Sequence, residues 1–199
     1  MKRIFTLSLG LLISGLALAQ TGYKIGAKVA DFTLKNTKDQ AMSLSQFKDA
    51  QVVVVVFTSK NCPYAKLYDG RLQTLANTYA GKGVKFIYVN PAIGLEEGGD
   101  TIKELSEQVD TSVSAMPYLL DNQQKVSKQF GAVKTPEVFV LQNSPDGFYL
   151  KYKGAIDDNP QVEAYAKEFY LKNALENALA GRPVTTAEIR PTGCMIKKF

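Results

Sequence analysis

The hydrophobic positions change their period as the chain proceeds, and the changes mark out its elements. Val52 to Phe57 is an unbroken apolar run dominated by β-branched residues, the pattern of a strand buried on both faces of a largely parallel sheet. Beyond it Tyr64, Tyr68, Leu72, Leu75 and Tyr79 recur at intervals of 4, 4, 3 and 4, which predicts an amphipathic helix. Pro63 suits its first position, and Gly81 and Gly83 mark its end. Val84 to Asn90 reads as a second core strand. Strand, helix and strand in this order form a βαβ unit with a right-handed crossover.

On the N-terminal side, "GAKVADFTLKNTKDQAMSLSQF" alternates weakly around turn residues at Asn36 to Asp39. It predicts an extended start, a short hairpin and a brief helix near Ser45 to Phe47. After the second strand comes a glycine-rich loop, "NPAIGLEEGGD". Thr101 and Glu104 then have capping-box spacing and open a helix with Ile102, Leu105 and Val109 on one face. A short strand is expected at Pro117 to Leu120, a helix from Gln124 to Phe130, and a third core strand from Glu137 to Leu141. Ser144-Pro145-Asp146-Gly147 has turn chemistry, because proline presets φ and glycine permits positive φ. "FYLKYKG" follows as the antiparallel partner strand. Val162, Tyr165, Phe169, Leu171, Leu175 and Leu179 predict a long final helix, stopping near Gly181 and Pro183. "TTAEIRPTGCMIKKF" has no clear period. The sum is one α/β domain with a central mixed β-sheet flanked by helices.

The first residues change the expected compartment. Lys2 and Arg3 precede an apolar run, Ile4 to Leu18, that closes on Ala17-Leu18-Ala19. This reads as a secretory signal peptide at residues 1–19; the alternative, a membrane anchor, is disfavoured because the run is short for a bilayer span. Its removal lowers the formal charge from +5 to +3. The mature chain is then expected in the periplasm or outside the cell, with no membrane association. It splits into a domain at 20–182 and a C-terminal tail at 183–199. No basic stripe interleaved with aromatics points to nucleic acid.

The absence of histidine removes Ser–His and Cys–His catalysis and the commonest transition-metal ligand. Two cysteines, Cys62 and Cys194, do not make a four-ligand zinc site. Glu96, Glu97, Asp157 and Asp158 lie in polar loops and read as solvated acids, so neither a metal nor a cofactor is expected. The chemistry narrows to the thiols.

Cys62 stands where the core strand hands over to the helix that opens at Pro63. Free N–H groups and the positive end of a helix dipole favour thiolate there, so the thiol is expected to be more acidic than a free cysteine and partly accessible. Lys60 and Lys66 add positive charge nearby. The plainer reading of Cys62 is a small buried hydrophobe. Thr135-Pro136 opens the third core strand, where proline belongs because it donates no ladder bond.

These features resemble the thioredoxin superfamily, specifically its redoxin (AhpC/TSA) branch and a peroxiredoxin-like group within it. The resemblance rests on "VADFTLKNTKDQAMSLSQF", "NCPYAK", "PYLLDNQQKVSKQFGAVKTPEVFVL", "YKGAIDDNP" and "PTGCMIK", in that order. It implies a thioredoxin-like fold, with Cys62 at the first cysteine of C-x-x-C. Thr135 and Pro136 would form a cis-proline loop that docks substrate. Three departures qualify the resemblance. Ala65 replaces the second cysteine, Val55 replaces the proline of the peroxidatic motif in which Ser59 keeps the hydroxyl, and no arginine, Arg71 included, can be assigned beside the sulfur.

The expected activity is thiol–disulfide exchange through Cys62, with Cys194 as the resolving partner within one chain or between two. The tail, lying beyond the fold proper, would return to Cys62, and Gly193 would ease its turn. Substrates would be protein or small-molecule disulfides, or hydroperoxides, with an external thiol as electron donor. A hydroperoxide-reducing peroxidase is the enzymatic alternative. A binding module with a static disulfide is the non-catalytic one.

Overall fold

The computed structural model describes residues 22–95, 98–111 and 116–197, without the side chains of 108–111. The leader read at 1–19, the Glu96–Glu97 pair and the Val109 side chain lie outside this range. The elements in chain order are β1 (Lys28–Val29), β2 (Thr33–Asn36), β3 (Ala41–Ser43), β4 (Val52–Phe57), α1 (Pro63–Ala80), β5 (Val84–Asn90), α2 (Ile102–Thr111) and β6 (Tyr118–Leu120). They continue with α3 (Lys125–Phe130), β7 (Lys134–Thr135), β8 (Glu137–Ser144), β9 (Gly147–Gly154), α4 (Tyr170–Leu179), β10 (Glu188–Ile189) and β11 (Cys194–Met195). A 3₁₀ turn at Leu44–Phe47 supplies the brief helix expected there.

The main sheet runs β1–β9–β8–β4–β5–β6–β2–β3, with β10 also paired to β9. β4 is central because it can be: all six of its residues are buried. It runs parallel to β5 and antiparallel to β8, and β9 returns as the antiparallel hairpin. Alternate β4 residues feed two cores, as the period of a strand demands. Val52, Val54 and Val56 pack with Tyr68, Leu72 and Tyr79 of α1 and Leu171 and Leu175 of α4. Val53, Val55 and Phe57 pack on the other face with Phe32, Leu44 and Phe130. Phe130 makes edge contacts with Tyr23, Phe32, Phe57 and Phe139, at centroid distances of 5.2 to 5.8 Å. The Thr101–Glu104 capping box forms as read: Thr101 N–H donates to the carboxylate at 3.1 Å and Glu104 N–H to the hydroxyl at 3.2 Å.

Two expectations need correction. The final helix begins only at Tyr170, and Val162, Tyr165 and Phe169 are exposed. Side chains divert the chain before it. Asp158 accepts from the N–H groups of Lys167 and Glu168 at 2.8 and 3.1 Å, and Asn159 accepts from those of Gln161 and Val162. Such local bonds offer the backbone an alternative to helix. The tail, in turn, is integrated with the fold: β10 runs parallel to β9, and β11 pairs with β7. Among the described residues no helix is long and apolar enough to cross a membrane.

Candidate active site

Cys62 is the residue that caps the N-terminus of α1, in extended conformation, with Pro63 in the first helical position. Its side chain therefore lies at the positive end of an 18-residue helix. The loop leading into it is fixed by Asp100, a carboxylate only 2% exposed. Asp100 accepts the N–H of Lys60 at 2.8 Å, the N–H of Asn61 at 3.0 Å and the Asn90 amide at 2.6 Å. Asn90, at the end of β5, also accepts the Ala92 N–H at 2.8 Å. The Lys60 ammonium does not face the sulfur, because it donates to the Glu104 carbonyl at 2.8 Å.

The second wall is the segment before β8. The Thr135–Pro136 peptide is cis, and the Thr135 carbonyl oxygen lies 2.9 Å from the Cys62 sulfur. Glu137 secures this segment from behind. Its buried carboxylate accepts the N–H groups of Val133 and Lys134 at 2.8 and 3.1 Å. Burial raises the Glu137 pKa, while those two N–H bonds pull the other way.

The third wall is the tail. Cys194 is joined to Cys62 in a disulfide with Cα atoms 5.9 Å apart across 132 residues of sequence, within the reach of such a bridge. β11 lies antiparallel to β7 with Cys194 opposite Thr135 and Met195 opposite Lys134. The Ile196 N–H donates to the Val133 carbonyl at 3.0 Å, and the buried Gln124 amide holds the Lys197 and Pro91 carbonyls. Cys62, Cys194, Thr135 and Pro136 thus meet at one place. A pocket of about 200 Å³ adjoins them, bordered by Ser59, Pro91, Ala92 and Leu95.

Several details differ from the sequence reading. Cys62 is only 3% exposed in this disulfide form, beneath the tail, whereas Cys194 is half-buried. Gly193 stands at a bend of the chain and serves a close approach as well. A Cβ there would fall 2.8 Å from the Thr135 carbonyl carbon and nearer still to its oxygen. Val55 is wholly buried in the second core. Asp157 is not solvated: it is buried and ion-paired with Arg71 at 2.7 Å. Arg71 also donates to the Asn159 carbonyl at 2.6 Å, so its charge is taken up away from the sulfur.

Sequence reasoning missed Asp100, Gln124 and Glu137. Only Glu137 carried a signal, an acid opening an otherwise apolar core strand, which burial obliges to find partners.

The model of the AhpC/TSA family matches residues 25–159. No curated protein matches the chain. Among solved structures it is similar to a hypothetical protein from Sinorhizobium meliloti 1021, with 29% identity, 89% of this chain and 96% of that one covered, and a TM-score of 0.78. An uncharacterized conserved protein from Geobacillus kaustophilus gives 27% identity, 87% and 92% coverage, and a TM-score of 0.75. The exposed lipoprotein thioredoxin Etrx1 of Streptococcus pneumoniae strain TIGR4, at 16% identity, covers 76% of this chain and 99% of its own, with a TM-score of 0.55; that likeness speaks for the fold alone. A strand-to-helix cysteine beside a cis-proline segment, on a sheet of thioredoxin-like order, agrees with the matched stretch: the chain belongs to the AhpC/TSA family.

Proposed function

We propose that the chain is an exported thiol–disulfide oxidoreductase in which Cys62 exchanges with substrate and Cys194 resolves the intermediate. The observation that carries this is the meeting of the two cysteines at the N-terminus of α1, against the Thr135–Pro136 segment. The helix terminus favours the Cys62 thiolate. That makes Cys62 the nucleophile in the reduced chain and the better leaving group in the oxidised one. In the reduced chain, the Cys62 thiolate attacks a substrate disulfide and releases one substrate thiolate. Cys194 thiolate then attacks the Cys62 sulfur and releases the second. The substrate gains two electrons and the chain loses two. Two external thiol equivalents restore it, the first attacking Cys194, the less buried cysteine, and releasing Cys62 thiolate, the second releasing Cys194 and leaving the donor as a disulfide.

The peroxidase alternative has less support, because Arg71 is committed to Asp157 and Val55 to the core. A static disulfide differs in its potential, which lies below about −300 mV in structural bridges. The test is exchange of the reduced mature chain with glutathione disulfide, followed by mass spectrometry. Cys194→Ser should accumulate a mixed disulfide on Cys62, and Cys62→Ser should be slow to react. Equal reactivity of Cys62→Ser and wild type, or a bridge that opens only below about −300 mV, would end this reading.

A further inference from the structure

The segment Gly193–Lys197 is bound in the way a foreign chain would be. It lies as an added strand against β7, with its cysteine bonded to Cys62 and opposite Thr135. The Ile196 N–H donates to the Val133 carbonyl, and the Gln124 side-chain amide donates to the Lys197 carbonyl, so the segment is held through its own main-chain atoms, which any sequence possesses. One place in the seat reads identity. At Gly193 the Thr135 carbonyl leaves no room for a Cβ, and the φ there is not one that itself demands glycine. Beside the cysteine pair, the pocket of about 200 Å³ leaves space for side chains larger than those now present.

We propose that the β7 edge takes an extended polypeptide with a glycine directly before its reactive cysteine, and that Gly193–Lys197 is the resident mimic that closes this edge in the disulfide form. The proposal rests on the exchange reading above. Reduction of Cys62–Cys194 removes the covalent tether and leaves the tail held by a few hydrogen bonds, so a partner segment can displace it. Cys62 thiolate then attacks the partner's disulfide sulfur, the partner's other sulfur departs as thiolate, and a Cys62–partner disulfide forms. The returning tail occupies the same rungs, so the step that oxidises Cys194 also expels the product. Docking and resolution exclude each other.

The test uses the full mature chain carrying Cys194→Ser, reduced, and two synthetic peptides: Thr-Gly-Cys-Met-Ile-Lys and its alanine counterpart, Thr-Ala-Cys-Met-Ile-Lys. Each peptide's cysteine is activated as a mixed disulfide with thionitrobenzoate, whose release reports attack by Cys62. The glycine peptide should react at least tenfold faster than the alanine peptide. Adding Gly193→Ala to Cys194→Ser should unseat the tail and speed capture of the glycine peptide several-fold. Equal rates for the two peptides, with normal attack on the small disulfide of dithiobis-nitrobenzoate, would overturn the docking proposal and leave the exchange reading intact. A rate of glycine-peptide capture unchanged by Gly193→Ala would overturn the tail's role as resident occupant. Failure of Cys62 to attack even the small disulfide would overturn both. A Cys62–Cys194 crosslink between two chains in oxidised wild type would assign the edge to a second copy and overturn the proposed partner.

Discussion

Arg71 and Asp157 form an ion pair inside the protein, 2.7 Å from Nη1 to Oδ2, with side chains only 7% and 4% exposed. The second carboxylate oxygen accepts the Tyr68 hydroxyl at 2.8 Å, and the guanidinium lies over the Tyr68 ring. Burial and the neighbouring carboxylate together drive the Tyr68 phenol far above its ordinary range. The pair ties α1 to the loop after β9, well along the helix from Cys62. Its role is therefore architectural.

Replacing Arg71 by Met should cost about 3–5 kcal/mol, because Asp157 is left as an unpaired buried charge. The alkylation midpoint of Cys62 should not move. Urea denaturation of the Arg71→Met variant gives the first quantity and thiol alkylation against pH the second. A large midpoint shift would instead place Arg71 in the chemistry of the sulfur.

For the reduced wild type, the rate of Cys62 alkylation should have its midpoint below the free-thiol value of about 8.5. Cys62 caps α1, and the dipole of that helix favours the thiolate. Cys194→Ser removes ambiguity over which sulfur reports. A midpoint at or above the free value would mean that burial outweighs the helix.

Asp100→Ala should lower stability by about 1–3 kcal/mol for each donor it orphans. The donors at stake are the N–H groups of Lys60 and Asn61 and the Asn90 amide. Amide exchange at Lys60 and Asn61 should quicken more than at β4. Unchanged exchange there would show that the Cys62 approach is held by other contacts.

Glu137 gives a pH signature. Its folded pKa is raised, chiefly by burial, so the native chain binds more protons than the unfolded chain over the interval between the two values. Stability therefore falls as pH rises from the ordinary glutamate range to the raised folded value. Glu137→Gln keeps an acceptor for Val133 and Lys134 and has no charge to bury. Its urea midpoint should lack that decline. A variant that follows the wild-type curve would assign the decline to other groups.

What the sequence disclosed follows from how strongly each element is patterned. β4, α1 and β5 were legible because Val52–Phe57 has no polar residue and Tyr64 to Tyr79 keeps a helical period over four turns. The Thr101–Glu104 box was legible because both partners lie within one turn. β10 and β11 have two residues each, too few to show any period, and their existence depends on distant partners. The overlong final helix arose because apolar spacing alone does not register the competing backbone bonds of Asp158 and Asn159. At the site, Cys62, Cys194, Thr135 and Pro136 were legible as residue types with known chemistry. Asp100 and Gln124 were not, since a single carboxylate or amide in a loop acquires meaning only from the N–H and C=O groups that folding brings to it.

β9 has one outer edge, and two short strands from opposite ends of the chain share it. β1 takes Phe148 and Tyr149, while β10 takes Lys153 and Gly154. An open strand edge is a template for pairing with other molecules, and here neither terminal strand covers it alone. Shortening the protein from either end would bare part of that template. Deleting β1, which leaves Cys62 and Cys194 in place, therefore acts first on self-association, a colloidal property, whereas a cut made ahead of Glu188 removes Cys194 together with β10 and strikes both properties at once.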